Sequence, residues 1–216
     1  VSRLLVTPLL RALKRVIGET PYLNYLDSFR YVLAGEFAFR RDVLTDLRIP
    51  SDWGLEIGVL SEVYRNYNNN RLCQVDIADN YDHKHQALSL DDKDSGLSKM
   101  SIDISKAIFR KLATQGHVFE QETIRTIKAT YYRVALDFVE TYHNDAIMNG
   151  LDFDIHKEEK AVEMFANNVM DAGQIFLDSP MERPFIPSWS RIVSAVPDIL
   201  ERLVDAVEQD VAEFSG

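Results

Sequence analysis

The sequence predicts a mostly helical α/β fold, in which a small α/β portion is followed by a longer helical region. Its 46% hydrophobic and 27% charged residues are typical of a soluble globular protein. Residues 72–77 alternate between apolar and polar side chains, as a strand does. After Gly96 the apolar residues recur every three or four positions, as in amphipathic helices. We therefore predict two domains, residues 1–95 and residues 96–216.

The first predicted element is a helix over residues 1–16, in which leucines recur at helical spacing. Pro8 lies within it and predicts either a kink or the start of the helix at that point. Gly18 ends the helix. The aromatic residues between 22 and 31 then lead to Gly35 through a short extended segment.

Two further helices are predicted before the strand. Residues 36–47 place apolar side chains on one face, and Pro50 ends this segment. Ser51 or Asp52 is expected to cap the next helix, which runs over residues 53–67. A turn over the three asparagines at 68–70 then leads into the predicted strand.

The region after residue 96 is predicted to be helical over residues 100–112, 124–147, 160–177 and 190–214. Pro197 should start a fresh helix within the last of these. Its buried face is predicted to contain Ile199, Leu200, Leu203, Val204, Val207 and Val211. The long apolar stripes favour a packing role, and a homodimer is one prediction from them.

Composition excludes several classes of protein. A net charge of −10 argues against a nucleic-acid partner, whose phosphates require clustered Lys and Arg. The single cysteine, Cys73, allows no disulfide within the chain, which favours the reducing cytoplasm. No apolar run reaches the roughly 18–20 residues of a membrane span, and no signal-peptide pattern appears. Because the chain starts at Val1 inside a predicted helix, we expect it to be an excerpt of a longer protein.

Glu56 is the first candidate for chemistry, because it lies between Leu55 and Ile57 at the start of a predicted helix. A carboxylate at a helix N-terminus is stabilised by the helix dipole and can position a hydroxyl or act as a base. Gly54 and Gly58 would allow a ligand or a second backbone to approach closely. A partly exposed helix glutamate without a function explains the same pattern.

His83 and His85 are the second candidates, as two imidazoles at i and i+2 that point to one side of an extended segment. The neighbouring Asp79 and Asp82 favour a divalent metal, although surface histidines are common in loops. The pairs Asp92/Asp94 and Asp152/Asp154 fit solvated turns or caps better than metal sites.

The basic residues in these motifs are Arg40, Arg41 and Lys84. They could meet an anionic ligand such as a phosphate, and a charged helix face accounts for them equally well.

Taken together, LAGEFAFRR, DWGLEIGVL and DHKHQ, with VSRLLVTPLLRAL before them, resemble the central and C-terminal parts of glucosyl-3-phosphoglycerate synthases. These are retaining glycosyltransferases of the GT-A type, related to mannosylglycerate synthases. The resemblance covers about residues 1–90. It implies that residues 1–95 are the acceptor and metal side of a GT-A catalytic domain, followed by a helical extension.

The resemblance also implies a chemistry: UDP-glucose as donor, 3-phospho-D-glycerate as acceptor, and a divalent metal, Mg²⁺ or Mn²⁺. Glu56 would orient the acceptor or stabilise the positive sugar carbon. The leaving phosphate would take the acceptor proton in front-face attack. The implied substrate-binding residues are Ser2, Leu33, Ala34, Gly35, Glu36, Trp53 and Lys84, and the implied metal ligand is His83, with His85 as second choice.

The nucleotide-binding half of that family, with its Asp-X-Asp motif, has no counterpart in this sequence, so we expect the chain to be inactive by itself. One alternative is a non-catalytic helical interaction or oligomerisation module. Another keeps the fold and changes the substrates, with GDP-mannose as donor or free glycerate as acceptor.

Overall fold

The computed structural model describes residues 1–77, 96–181 and 185–214, and these ranges are mainly helical. A π-helical turn over Ser2–Val6 leads directly into the first α-helix, and a 3₁₀ turn over Asn69–Arg71 follows the fourth. The α-helices are α1 Thr7–Ile17, α2 Pro21–Asp27, α3 Arg41–Asp46, α4 Leu55–Asn66, α5 Gly96–Thr114, α6 Gln121–Met148, α7 Ile155–Asp178, α8 Trp189–Ala195 and α9 Ile199–Phe214.

The strand predicted over residues 72–77 is wrong. In the described ranges the only strand-like pairing is an isolated antiparallel bridge between Ile49 and Ile186. Within the part of the chain that the structure describes, no strand pairs with residues 72–77: the Leu72 N–H makes a turn hydrogen bond to the Asn69 carbonyl at 3.2 Å, and Val75 and Ile77 are 72% and 65% exposed. Side-chain bonds hold the segment instead: the backbone N–H of Arg30 donates to the Gln74 side chain. The prediction of a mostly helical chain is confirmed, and its α/β component is not found in these ranges.

The beginning of the chain follows the prediction at both ends of α1. Pro8 lies in the first turn of α1, where the π-helical turn becomes an α-helix; it has no N–H to donate to the preceding turn, and the Leu4 carbonyl in that turn accepts a hydrogen bond from the Tyr131 hydroxyl. Gly18 ends the helix with a φ of 88°, a conformation that other residues rarely adopt. The aromatic residues that follow lie first in α2 and then in turns, so the short extended segment predicted to lead to Gly35 is replaced by turns over residues 30–33. Thr20 caps α2 by accepting a hydrogen bond from the N–H of Leu23, and Pro21 is its first residue.

The two predicted helices around Pro50 are also present, with corrected lengths. The helix predicted over residues 36–47 is reduced to the six residues of α3. α4 agrees with the prediction, but Gly54 rather than Ser51 or Asp52 is its N-cap. The Asp52 carboxylate accepts a hydrogen bond from the Gly54 N–H and so orders the turn before the helix.

The core lies among α1, α5, α6 and α7: α6 packs against α1 and α7, and α7 packs against α5. Helical spacing predicts an apolar stripe on α6 formed by Ile124, Ile127, Tyr131, Val134 and Phe138. The first four are buried and Phe138 is partly buried, so the stripe faces the core. The Tyr131 hydroxyl donates to the Leu4 carbonyl at 2.7 Å and ties α6 to the π-helical turn. α2 and α4 pack beside this core and carry the candidate site.

The predicted buried face of α9 is wrong. Pro197 does precede a fresh helix, but its apolar side chains are open to solvent among the described residues. Helical spacing shows that a face is apolar, and it carries no information on whether another element covers that face. The exposed fractions are 58% for Leu200, 46% for Leu203, 57% for Val204, 61% for Val207 and 58% for Val211. Across the described ranges, no helix combines the length and apolar character needed to cross a membrane.

Candidate functional site

Glu56 and Gly35 lie next to each other, although 20 residues separate them in the chain. A methyl group added to Gly35 would lie 4.0 Å from Oε1 of Glu56. Glu56 is in the first turn of α4, and Gly35 is in the irregular segment between α2 and α3. Two of the motifs singled out in the sequence therefore meet in space.

The glycines of the Glu56 motif are used for packing within the protein. A Cβ on Gly58 would lie 2.2 Å from Cγ of Pro50, and a Cβ on Gly54 would lie 2.8 Å from Cβ of Ala107. These contacts seat α4 against the turn before it and against α5. The atoms nearest to these positions are side-chain atoms of the chain itself, except for the Asp103 carbonyl oxygen, which would lie 3.4 Å from a Cβ on Gly54.

The environment of Glu56 favours its protonated form. The side chain is half-buried, and this desolvation raises the pKa of its carboxyl above the usual value. A hydrogen bond from its own backbone N–H opposes the change. The position at a helix N-terminus also favours the charged form. Burial is the larger effect, so Glu56 holds a proton to higher pH than an ordinary glutamate.

A cavity of about 600 Å³ opens on the same face of α4. Val59, Leu60 and Val63 form one wall, and they follow Glu56 at helical spacing. Two predicted site residues, Ala34 and Glu36, line the cavity. Five aromatic side chains also line it: Phe29, Tyr31, Phe37, Phe39 and Tyr67.

Two of the three described arginines that line this cavity are partly engaged by neighbouring acids. Arg40 makes two hydrogen bonds to Asp42, at 3.0 and 2.9 Å, and Arg30 contacts Asp76 at 3.0 Å. Because both pairs are exposed, they hold the arginine side chains only weakly. An anionic ligand would have to compete with Asp42 for Arg40.

Four predicted substrate-binding residues, Ser2, Leu33, Gly35 and Trp53, are not among the described residues that line this cavity, and neither is Glu56. Ser2 is buried in the π-helical turn, and its hydroxyl has no hydrogen-bond partner among the described residues. Leu33 is 7% exposed and belongs to the hydrophobic core. Trp53, in the turn before α4, is 43% exposed. The structure thus brings together Gly35 and Glu56, with Ala34 and Glu36 beside them on the cavity wall.

His83, Lys84 and His85 lie outside the described residues, as do Asp79, Asp82, Asp92 and Asp94. Within the described ranges, no group of three or more His, Cys, Asp or Glu side chains is suited to hold a metal ion. The predicted metal site therefore stays a prediction.

The sequence pattern did not reveal the residues that hold α4 in place. The Tyr22 hydroxyl lies 2.7 Å from the Ser61 hydroxyl, and the Tyr25 hydroxyl donates to the Leu60 carbonyl at 3.2 Å. Thr20 followed by Pro21 was the available signal, since it marks a helix start that would have placed both tyrosines on α2. The assembled site can present a half-buried carboxyl group to a hydroxyl or to a developing positive charge, beside an aromatic cavity.

Comparison with known proteins identifies relatives over nearly the whole chain. A protein of Persephonella marina named glucosyl-3-phosphoglycerate synthase is 44% identical over 210 residues, which are 97% of this chain and 52% of that protein. A protein of Methanococcoides burtonii with the same name is 41% identical over 216 residues, 99% of this chain and 52% of that protein. The chain is homologous to glucosyl-3-phosphoglycerate synthases.

This homology extends beyond the motifs in residues 1–90 and includes the helical region, in which no motif was recognised. The chain spans about half the length of the glucosyl-3-phosphoglycerate synthases that it matches. No family model matches the chain, and no solved structure does.

Proposed function

We propose that this chain is part of a retaining glycosyltransferase that moves glucose from UDP-glucose to 3-phospho-D-glycerate. The observation that carries the proposal is the identity of 41–44% to two proteins named glucosyl-3-phosphoglycerate synthase. The approach of Glu56 to Gly35 supports it, because these two motifs were the basis of the resemblance. A GT-A catalytic domain is the fold that we propose for the whole enzyme.

Glu56 is the residue to which we assign a catalytic role. In a retaining reaction by front-face attack, positive charge develops on the sugar carbon and the acceptor hydroxyl must be held on the side of the leaving group. A half-buried carboxyl group can accept a hydrogen bond from that hydroxyl, and its ionised form stabilises the developing charge more strongly in a poorly solvated site than in water. Gly35 leaves the space beside Oε1 open for a ligand atom.

A divalent metal, Mg²⁺ or Mn²⁺, is part of this proposal, and it would neutralise charge on the departing diphosphate. We assign it to His83, with His85 as second choice, and assign the neighbouring phosphates to Lys84. Titration of Mn²⁺ by calorimetry tests this assignment without relying on activity. Metal affinity should fall in His83→Ala, and unchanged affinity in both His83→Ala and His85→Ala would contradict it.

The deciding experiment assays the intact protein that contains this chain against a panel of UDP-glucose and GDP-mannose, each with 3-phosphoglycerate and with glycerate. We expect transfer from UDP-glucose to 3-phosphoglycerate, with a large loss of kcat in Glu56→Gln. Glu140→Gln, an exposed substitution of the same kind on α6, is the control and should keep full activity. Preference for GDP-mannose or glycerate would replace the substrates proposed here, and full kcat in Glu56→Gln would remove the role of Glu56.

A homodimer and a cytoplasmic location stay predictions. Of the two stripes that suggested a dimer, the stripe on α6 is used inside the core, and the stripe on α9 is exposed. The mass of the chain in solution, measured by light scattering, tests the dimer directly.

A further inference from the structure

Two buried tyrosines on α2 bond to the middle of α4, one turn beyond Glu56. Tyr22 and Tyr25 are 1% and 6% exposed, and their hydroxyls reach Ser61 and the Leu60 carbonyl. The ring of Tyr64 packs against both, with centroids 5.4 Å from Tyr22 and 5.0 Å from Tyr25. The contact between α2 and α4 is therefore both polar and aromatic.

The hydrogen bonds run in one direction. The Ser61 hydroxyl has a single proton and donates it to the Ile57 carbonyl at 2.6 Å. The Tyr22 hydroxyl must then donate to Ser61 Oγ. Burial raises the pKa of Tyr25 to about 12 and raises that of Tyr22 beyond the usual tyrosine range, so both remain protonated donors at neutral pH. The relay ends at Ile57, the residue that follows Glu56.

α2 also contacts the start of the irregular segment that contains Gly35, on the other side of the site. Its C-cap Ser28 donates through its hydroxyl to the Tyr25 carbonyl at 2.6 Å, and Phe29 packs edge-on against the Tyr25 ring at 5.1 Å. Phe29 begins the irregular segment that contains Gly35 and lines the cavity. One short helix thus holds both the loop with Gly35 and the helix with Glu56.

We propose that Tyr22 and Tyr25 are positioning residues, which fix α4 relative to α2 so that the Glu56 carboxyl group lies beside Gly35. The inference rests on the proposed function only for its catalytic consequence. Its structural part concerns this chain alone: Oε1 of Glu56 lies 4.0 Å from the position that a Cβ on Gly35 would take, so a shift of α4 relative to α2 would change the surroundings of the carboxyl group.

The structural part is tested by NMR titration of the Glu56 carboxyl group in the chain itself. In Tyr22→Phe, Tyr25→Phe and the double variant, α4 loses a bond without a change in ring packing, and Glu56 becomes better solvated. We expect its pKa to fall toward the ordinary glutamate value, most in the double variant. Tyr131→Phe is the matched control, since it removes a buried tyrosine hydroxyl that donates to a carbonyl elsewhere in the core. It should lower stability and leave the Glu56 pKa unchanged.

A second variant reaches the same bond from the other side. Ser61→Ala removes the acceptor for Tyr22 and should lower the Glu56 pKa as Tyr22→Phe does, with no further fall when the two are combined. An unchanged Glu56 pKa in the double tyrosine variant and in Ser61→Ala would overturn the proposal and leave the tyrosines a purely stabilising role. An equal fall in Tyr131→Phe would overturn it as well.

The catalytic part uses the intact enzyme. Each tyrosine variant should lower kcat by about threefold to tenfold, the range expected for one hydrogen bond. KM for the donor should stay close to the wild-type value, because α4 would hold the acceptor side. If the wild-type enzyme shows no transfer, the proposed function fails while the titration result stands. If kcat is unchanged although the Glu56 pKa falls, the positioning has no catalytic consequence and that part is overturned.

Discussion

Replacing Gly58 by alanine should destabilise the protein, although alanine is the better helix former. In a helix interior this change normally gains about 1 kcal/mol. Here the new Cβ would lie 2.2 Å from Cγ and 2.4 Å from Cδ of Pro50. Ordinary contacts between carbon atoms are about 3.5–4.0 Å, so more than about 1 Å of movement is needed.

The movement cannot come from a change of rotamer, because the proline ring is closed onto its own backbone. The turn before α4, or α4 itself, has to shift. Overpacking of this kind costs about 1–3 kcal/mol, and the size of the clash points to the upper end. After the gain in helix propensity, we expect a net loss of about 2 kcal/mol. For a chain of this size that corresponds to a fall in Tm of roughly 4–8 °C.

The assay is a double-mutant cycle with Pro50→Ala, followed by urea and thermal unfolding. Pro50→Ala removes Cγ and Cδ and leaves only Cβ, which would lie 3.7 Å from the new methyl group, an ordinary contact. In that background Gly58→Ala should be neutral or stabilising, giving a coupling energy of about 2–3 kcal/mol. If Gly58→Ala alone is as stable as the wild type, or if the two substitutions add independently, the contact with Pro50 does not constrain α4.

Three further predictions concern stability. Because burial raises the pKa of Glu56, its ionised form opposes folding. Glu56→Gln should therefore be more stable than the wild type at pH 7, measured by urea unfolding. This difference in stability should shrink as the pH falls through the folded-state pKa, and it should vanish below the ordinary glutamate pKa. A difference that persists at low pH would refute this cause. Asp103→Asn should cost about 3 kcal/mol, because the buried carboxylate balances Lys99 at 2.8 Å and the buried Lys106 at 3.2 Å. A loss below about 1 kcal/mol would show that these ion pairs do not stabilise the core. Val207→Asp, on the exposed face of α9, should change stability by less than about 0.5 kcal/mol, and a large loss would show that this face is covered in solution.

The parts of the fold that could be predicted from sequence are those with local causes. Pro8 and Gly18 mark the limits of α1 through their own backbone preferences. The stripe of α6 is buried as predicted, because a long helix in the middle of a bundle has neighbours on its apolar side. The strand predicted from the alternation over residues 72–77 was wrong because a strand depends on a partner backbone, which a local pattern does not specify. The prediction that the apolar face of α9 is buried was wrong for a similar reason, because burial depends on another element that covers the face.

The candidate site shows the same division. Glu56 could be singled out because a glutamate between two apolar residues after a glycine is an unusual local arrangement. Gly35 could be linked to Glu56 only through the resemblance to a family. The 20 residues between them include irregular chain, α3 and a turn. The tyrosines that hold α4 gave no signal of their own, because buried tyrosines are common in cores and their hydrogen-bond partners depend on tertiary packing.

Two features that reduce the stability of this chain lie on α4. Gly58 weakens the helix and is retained because Pro50 needs the space, and Glu56 is kept half-buried where desolvation opposes its charge. Natural sequences break such local rules mainly where function requires it. A purely structural α4 would be better served by glutamine at position 56, which keeps the shape of the side chain and removes the cost of ionisation. If Glu56→Gln proves more stable at neutral pH and loses activity, the carboxyl group is present for chemistry rather than for folding.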